Sequence, residues 1–422
     1  MHHGPERPPR SFLALIAALA LVVALAACGG PPSGGGPDPD PDPEPDFVAI
    51  AQFRSPESRD GDRFGTGLAL QGDVLLAGAP YAAGVSSGVA GAGAAWPYLL
   101  GGTPDPGDRF ASATGMNNDE FGRAVALDGG YAFVGSPGEE VGTTNTGGVF
   151  VYLLESGEWT LVTRLYDPVF GTAAFGNRIA AHGGRVLITS PRKPDGLGRR
   201  GIAHVFEREG DDFLHRQTLR LPDGVQDEGF GAAAVALRGD VAVVTSMDTH
   251  QAYVYEYAAG TWSHRVTLGG EQRHVDRQFG RSAAVGNGVL FVGAPAGVGP
   301  DVLHGEVFVY ARGASTWTQA YSFSTLTGTT AWFGHAVATD GERLVVGAPT
   351  AITNGLSGSG AAFTYDIVGT EVSIGRRITA LEPAAQARFG TFVAIDGDRV
   401  AVAAPNRTIS GEPPGEVVVF ER

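Results

Sequence analysis

A Phe-Gly pair recurs seven times along this chain, at Phe64-Gly65, Phe121-Gly122, Phe175-Gly176, Phe230-Gly231, Phe279-Gly280, Phe333-Gly334 and Phe389-Gly390. Successive spacings are 57, 54, 55, 49, 54 and 56 residues, so the body of the chain is one unit copied seven times. A second mark keeps register with the first. Sixteen residues after six of these phenylalanines stands a proline: Pro80, Pro137, Pro191, Pro295, Pro349 and Pro405. Gly-Ala precedes it in Gly78-Ala79-Pro80, Gly293-Ala294-Pro295 and Gly347-Ala348-Pro349. In the fourth copy Thr245-Ser246-Met247 lacks the proline and comes one residue late, which predicts a bulge or slip there.

Each copy has the same internal plan. An apolar run such as Ala124-Val125-Ala126-Leu127 follows the Phe-Gly pair. A two-residue turn comes next (Asp128-Gly129, Gly183-Gly184, Gly239-Asp240, Asn287-Gly288, Asp340-Gly341 or Asp396-Gly397), with the residues that supply positive φ in tight hairpins. A second apolar run leads to the Gly-Ala-Pro corner. A third begins at glycine, as in Gly305-Glu306-Val307-Phe308-Val309-Tyr310, and a short turn with an aromatic end opens a fourth. Four strands per copy, apolar on both faces, predict sheets stacked between sheets. The expected fold is an all-β, seven-bladed β-propeller of four-stranded antiparallel blades.

Phe-Gly followed by Gly-Ala-Pro resembles the FG-GAP repeat of integrin α-subunit heads and many bacterial surface proteins. The resemblance covers residues 47–422 and implies a binding or adhesion module. Two leftovers predict how the ring closes. The last copy ends after its third strand, Gly415 to Phe420, one strand short. Phe47 to Arg54 lies where other copies carry a fourth strand, so the N-terminal strand is expected to complete the seventh blade.

Residues 1–27 read as a signal peptide: Arg7 and Arg10, an apolar run from Phe12 to Ala27, then Cys28. The cysteine resembles that of a bacterial lipoprotein signal, which implies a lipidated Cys28 and a cell-envelope location, at the outer membrane or cell surface. Cys28 is the one cysteine of the chain, which leaves no intrachain disulfide and no Cys-ligated metal cluster. Gly29 to Asp46 alternates proline with acid after a glycine run, an extended spacer reaching about 50 Å.

Formal net charge is −15, from 30 basic and 45 acidic residues, which disfavours nucleic acid. No paired histidine motif, G-x-S-x-G elbow or phosphate loop occurs, so no catalytic residue, metal or cofactor is expected. The calcium loop that the family resemblance would place between strands one and two is a two-residue turn here, without the oxygen ligands calcium needs. Arg238-Gly239-Asp240 spells an adhesion tripeptide but occupies a hairpin turn. Function is therefore expected where copies differ, on the face bearing the 2–3 and 4–1 connections. Tyr81, Arg192, Lys193, Arg199, Arg200 and Trp332 are the candidate binding residues there, with Arg273, His274, Arg277, Asp301 and His304 beside them. The expected partner is an envelope or extracellular protein or glycan, with the membrane met through the lipid alone and the propeller monomeric. An enzyme with its site in the channel and a structural part of an envelope assembly are the alternative readings.

Overall fold

The seam between copies explains why the repeat is spelled as it is. In the computed structural model, residues 47–422 are described except 56–60, 85–88, 90, 101–104, 107–108, 113–114, 143, 169–173, 192–200, 224, 226, 228, 272–274, 276, 297–303, 325–330, 374 and 409–414. All seven motif phenylalanines are fully buried. Each wedges between its own blade and a neighbour; Phe121 meets Phe150 edge-on, ring centroids 4.9 Å apart, within a core that also holds Leu76 and Ala95 of the preceding blade. The glycine beside it permits backbone contact. Gly122 has φ 86°, and a Cβ there would fall 2.3 Å from the Ala94 carbonyl oxygen. A Cβ on Gly78 would fall 2.0 Å from the Gly122 carbonyl oxygen. The Phe-Gly pair of one copy and the Gly-Ala-Pro corner of the copy before it are thus two halves of one joint. Where Thr189 replaces the corner glycine, its hydroxyl donates to the Gly231 carbonyl at 2.9 Å and keeps the joint closed.

Among the described residues, seven antiparallel sheets follow one another. Blade one holds Gly67–Gln71, Val74–Ala79, Ala94–Leu99 and the short Asp105–Pro106. Blade two runs Val125–Asp128, Tyr131–Ser136, Gly148–Glu155, Glu158–Leu165, and blade three Ile179–His182, Arg185–Ser190, Ile202–Glu209, Asp212–Leu219. Blade four is Val235–Arg238, Val241–Ser246, Gln251–Ala258, Thr261–Gly269, and blade five Ser282–Val285, Val289–Ala294, Glu306–Arg312, Trp317–Phe323. Blade six has Ala336–Thr339, Arg343–Ala348 and Ala361–Val368, and its fourth strand is split into Glu371–Val372 and Arg376–Ile378. First strands of successive blades pack together all round, including Gly67–Gln71 against Phe392–Asp396, so they form the inner ring.

Blade seven closes the ring as the leftover strands predict. Phe392–Asp396, Arg399–Ala404 and Glu416–Glu421 are completed by Val48–Arg54, antiparallel to Glu416–Glu421. The N-terminal strand even repeats a register shift. It skips Ile50 opposite Val419 and Phe420, as Glu158–Leu165 skips Val162 opposite Val151 and Tyr152.

One local expectation is corrected. The slip of the fourth copy is not at its corner: Val241–Ser246 pairs on both sides without a register shift. The extra residue lies earlier, within Ala232–Ala234, so Gly231 N bonds Thr245 O where Gly122 N bonds Gly135 O. The hairpin turns keep the expected two residues in blades five and six as well. Gly286 N bonds Val289 O around Asn287-Gly288, and the pairing of Thr339 with Leu344 leaves Gly341-Glu342 at the tip. In blade six side chains support the turn, with Asp340 accepting from the Glu342 and Arg343 amides at 2.9 and 2.8 Å.

Candidate functional site

The inner ring has two ends, and their polar groups are used differently. At the end bearing the strand 1–2 turns, every joint between blades carries a hydrogen bond. Gly129 N donates to Gln71 Oε1 at 3.0 Å, and Gly183 N and Gly184 N donate to the two oxygens of Asp128 at 3.0 and 2.6 Å. Gly239 N donates to His182 Nδ1 at 3.2 Å, and Arg238 Nε to Asn287 Oδ1 at 3.2 Å. Asn287 Nδ2 donates to Gly341 O at 3.4 Å, Arg343 to Gly397 O at 2.7 Å, and Gly72 N to Asp396 at 2.6 Å. The seven bonded joints make a closed latch. Burial first, then the neighbouring Arg238 charge, holds the His182 imidazole below its ordinary pKa, which suits Nδ1 as an acceptor.

The same latch absorbs the Arg238-Gly239-Asp240 tripeptide. Arg238 and Gly239 are bonded across the joints, and Arg312 grips both Asp240 oxygens at 2.9 and 2.7 Å. That grip holds the Asp240 carboxyl below the usual range. The turn carboxylates likewise have work in the fold: Asp128 and Asp396 accept turn amides, and Asp398 pairs with Arg343 at 2.6 Å.

At the opposite end the chain enters each first strand through a Phe-Gly turn. The residue before phenylalanine is left-handed in every copy where it is not glycine: Arg63, Glu120, Ala174, Gln278, Trp332 and Arg388, with φ between 51° and 57°. Recurrence around the ring marks this as a feature of the joint. A tryptophan at such a φ is unusual. Trp332 is 41% exposed. Its ring stacks parallel to His335, centroids 6.0 Å apart, and the Arg388 guanidinium lies 5.8 Å from its centroid.

Residues just after the Phe-Gly pairs crowd the axis. Arg123 pairs with Glu120 at 2.6 Å and donates to Asn177 Oδ1 at 3.2 Å. Arg178 donates only to carbonyls, Ala233 O at 2.6 Å and Asn177 O at 2.8 Å. Arg281 donates to His335 Nε2 at 3.1 Å, while His335 Nδ1 donates to Thr391 O at 3.2 Å. Burial, with the charges of Arg281 and Arg388, depresses the His335 pKa to about 4, so the ring is neutral at pH 7 and Nε2 is free to accept. Burial, together with Arg123 and Arg281, pushes Arg178 down to about 9. Arg178 and Arg281 sense each other although they belong to blades three and five. Blade four, between them, offers only Ala232, Ala233 and Ala234 at these positions.

Of the candidate binding residues, Tyr81 is half-buried with the Arg63 guanidinium 5.1 Å from its ring centroid, and Trp332 stands exposed as above. The two rings do not meet. Arg192, Lys193, Arg199 and Arg200 lie outside the described residues, as do Cys28, Arg273, His274 and Asp301. Arg277 is tied in an ion pair to Glu306, and the His304 carbonyl accepts the Phe333 amide at 2.8 Å, so both act in the joint. Reading one copy at a time misses Arg178, Arg281 and Arg388. Aligning all seven copies at the Phe-Gly pair is the signal that collects them.

Other polar clusters are sealed inside blades. Ser190 Oγ donates to Asp167 Oδ2 at 3.0 Å, and His204 Nε2 sits 3.6 Å from Asp167 Oδ1, all three buried. The serine serves the aspartate and not the imidazole, which is not a nucleophile–base arrangement. Asp227 gathers Ser246, Thr249 and Tyr253 hydroxyls at 2.6, 2.7 and 2.9 Å. Arg407 and Glu416, both fully buried, pair at 2.7 Å in blade seven.

A seven-bladed ring closed by its N-terminal strand, with one latched end and one end rich in arginine, defines a β-propeller. Residues 109–152 and 327–365 match the FG-GAP repeat family model. They span the Phe-Gly turns, the first two strands and the start of the third strand of blades two and six, and with the seven joints they fit an FG-GAP propeller. That fold supports a binding or adhesion type of module. No curated protein matches the chain.

Proposed function

We propose that the propeller is a non-catalytic binding module of the bacterial cell envelope, docking a protein or glycan partner on the face of the Phe-Gly turns and the 2–3 and 4–1 loops. The observation that supports this most is the contrast between the ends. Polar groups of the 1–2 turns are spent on the latch, whereas the side chains of Trp332 and Arg388 at the other end meet each other and His335 among the described residues. Aromatic and arginine anchors dominate binding energy at interfaces. The loop holding Arg192, Lys193, Arg199 and Arg200 follows the corner at Pro191, which belongs to the same face. Export with lipidation at Cys28 and a spacer through Asp46 completes the reading: the body is held off the membrane by the spacer.

Two measurements test it. Immobilised residues 47–422 are used to capture partners from envelope extracts, and affinity is then compared for Trp332→Ala and Arg238→Ala. Trp332→Ala is expected to weaken binding by more than about 1 kcal/mol and Arg238→Ala to leave it unchanged. The reverse pattern moves the docking face to the latched end. Separately, Cys28→Ser is expected to abolish fatty-acid labelling; persistent labelling defeats the anchor.

A further inference from the structure

The two positions on either side of each Phe-Gly pair hold Arg63, Arg123, Arg178, Arg277, Arg281 and Arg388 against Asp62, Asp119, Glu120 and Glu228, in a chain with 30 basic and 45 acidic residues. Glu120 is taken by Arg123. Arg178, Arg281 and Arg388 form no ion pair among the described residues; their partners are carbonyls, an imidazole and an indole. A guanidinium does not deprotonate near neutral pH, so the charge persists. Half-buried like charges within reach of one another raise the energy of the empty fold. At the latched end Arg312, Arg343 and Arg399 are paired with carboxylates, whereas Arg238 bonds an amide.

We propose that this axial end, through Arg178 and Arg281 with Arg388 at its rim, binds a small oxyanion carrying two negative charges, such as phosphate. Planar guanidinium forks suit the oxygens of such an anion, and Arg178 of blade three reaches across to the Ala233 carbonyl of blade four, next to the blade that carries Arg281. Arg281 is oriented by His335, itself fixed by the Thr391 carbonyl. Blade four, between them in the ring, carries only the small side chains of Ala232 and Ala233 at these positions. The site is independent of a macromolecular partner.

The test is calorimetric titration of the intact protein with inorganic phosphate, and in parallel with sulfate and succinate, at ionic strength held constant with sodium chloride. One saturable site is expected for phosphate, and the sulfate and succinate arms report whether a tetrahedral or a dicarboxylate anion fits better. Arg178→Gln and Arg281→Gln are each expected to weaken affinity about tenfold or more, the loss of a bond to a charged group. Arg343→Gln, at the latched end, is expected to bind as the parent does. Should the axial variants not fold, phenylglyoxal labelling of the parent replaces them: phosphate is expected to protect Arg178 and Arg281 while Arg343 labels at an unchanged rate. No saturable binding of any of the three anions overturns the proposal. So does unchanged affinity in both axial variants, or labelling that phosphate does not slow.

Discussion

The two ends of the ring are built from the same repeat yet keep some of their arginines in opposite circumstances. At the latched end Arg343 bonds the Gly397 carbonyl and Asp398, and Arg399 bonds Asp73 and Glu421. At the Phe-Gly end Arg178 and Arg281 meet carbonyls and a neutral imidazole but no carboxylate. One set is oriented by its counter-charges and the other by the backbone around it. The difference teaches that, in a repeat protein, position alone does not assign a residue's role; the pairing state of its charge does. Paired arginines hold blades together, and unpaired ones raise the energy of the fold until something binds.

The strongest way to break the comparison is to open the ring. Deleting Val48–Arg54 strips the outer strand from blade seven, bares the edge of Glu416–Glu421 and removes Phe53 from the core that holds Phe64. This deletion is expected to lower the thermal midpoint further than any single side-chain substitution; a midpoint equal to the parent's would place the closure elsewhere. Next in size is the seam shared by both ends. Phe121→Ala empties a fully buried wedge between blades one and two and is expected to cost about 3–5 kcal/mol in urea denaturation. A cost under about 1 kcal/mol would mean the motif phenylalanine is not what joins the blades.

A histidine near each end sharpens the contrast through pH. His335 titrates near 4 when folded and near 6.5 when unfolded, so between those values the unfolded chain binds the extra proton. Stability is therefore lost as pH falls from about 6.5 to about 4, by at most about 3 kcal/mol. His335→Gln removes that contribution, so the parent's stability relative to the variant falls across this window. His182 is depressed in the same direction, and the His182→Gln comparison is expected to give a smaller slope of the same sign. A parent-minus-His335→Gln difference that is flat from pH 7 to 4 contradicts the burial of the imidazole.

Blade number, strand order and ring closure were legible because the residues that fix them recur at fixed spacing. Phe-Gly and Gly-Ala-Pro are two sides of one backbone contact, and seven copies of a contact are visible in one dimension. The bonds that the turn side chains make were not legible. Asn287 and Asp340 are ordinary turn residues in sequence, and only the fold shows that Asn287 bonds Gly341 across a joint and Asp340 the amides of its own turn. Candidate binding residues were found where a single side chain is conspicuous, as with Trp332. The axial arginines were missed because they lie in different copies, separated by 49 to 57 residues per repeat. Only the closed ring brings Arg178 and Arg281 to one place.

The smallest effect is the most direct test. Urea denaturation of Arg343→Gln and Arg281→Gln, side by side in chloride buffer free of phosphate and other dianions, compares a paired arginine with an unpaired one. Arg343→Gln is expected to lose about 1 kcal/mol, the value of bonds to charged partners reduced by solvent exposure. Arg281→Gln is expected to lose nothing or to gain stability, because it removes a half-buried charge that has no carboxylate partner among the described residues. Equal losses in the two variants would contradict the division of the ring into a latched end and a binding end.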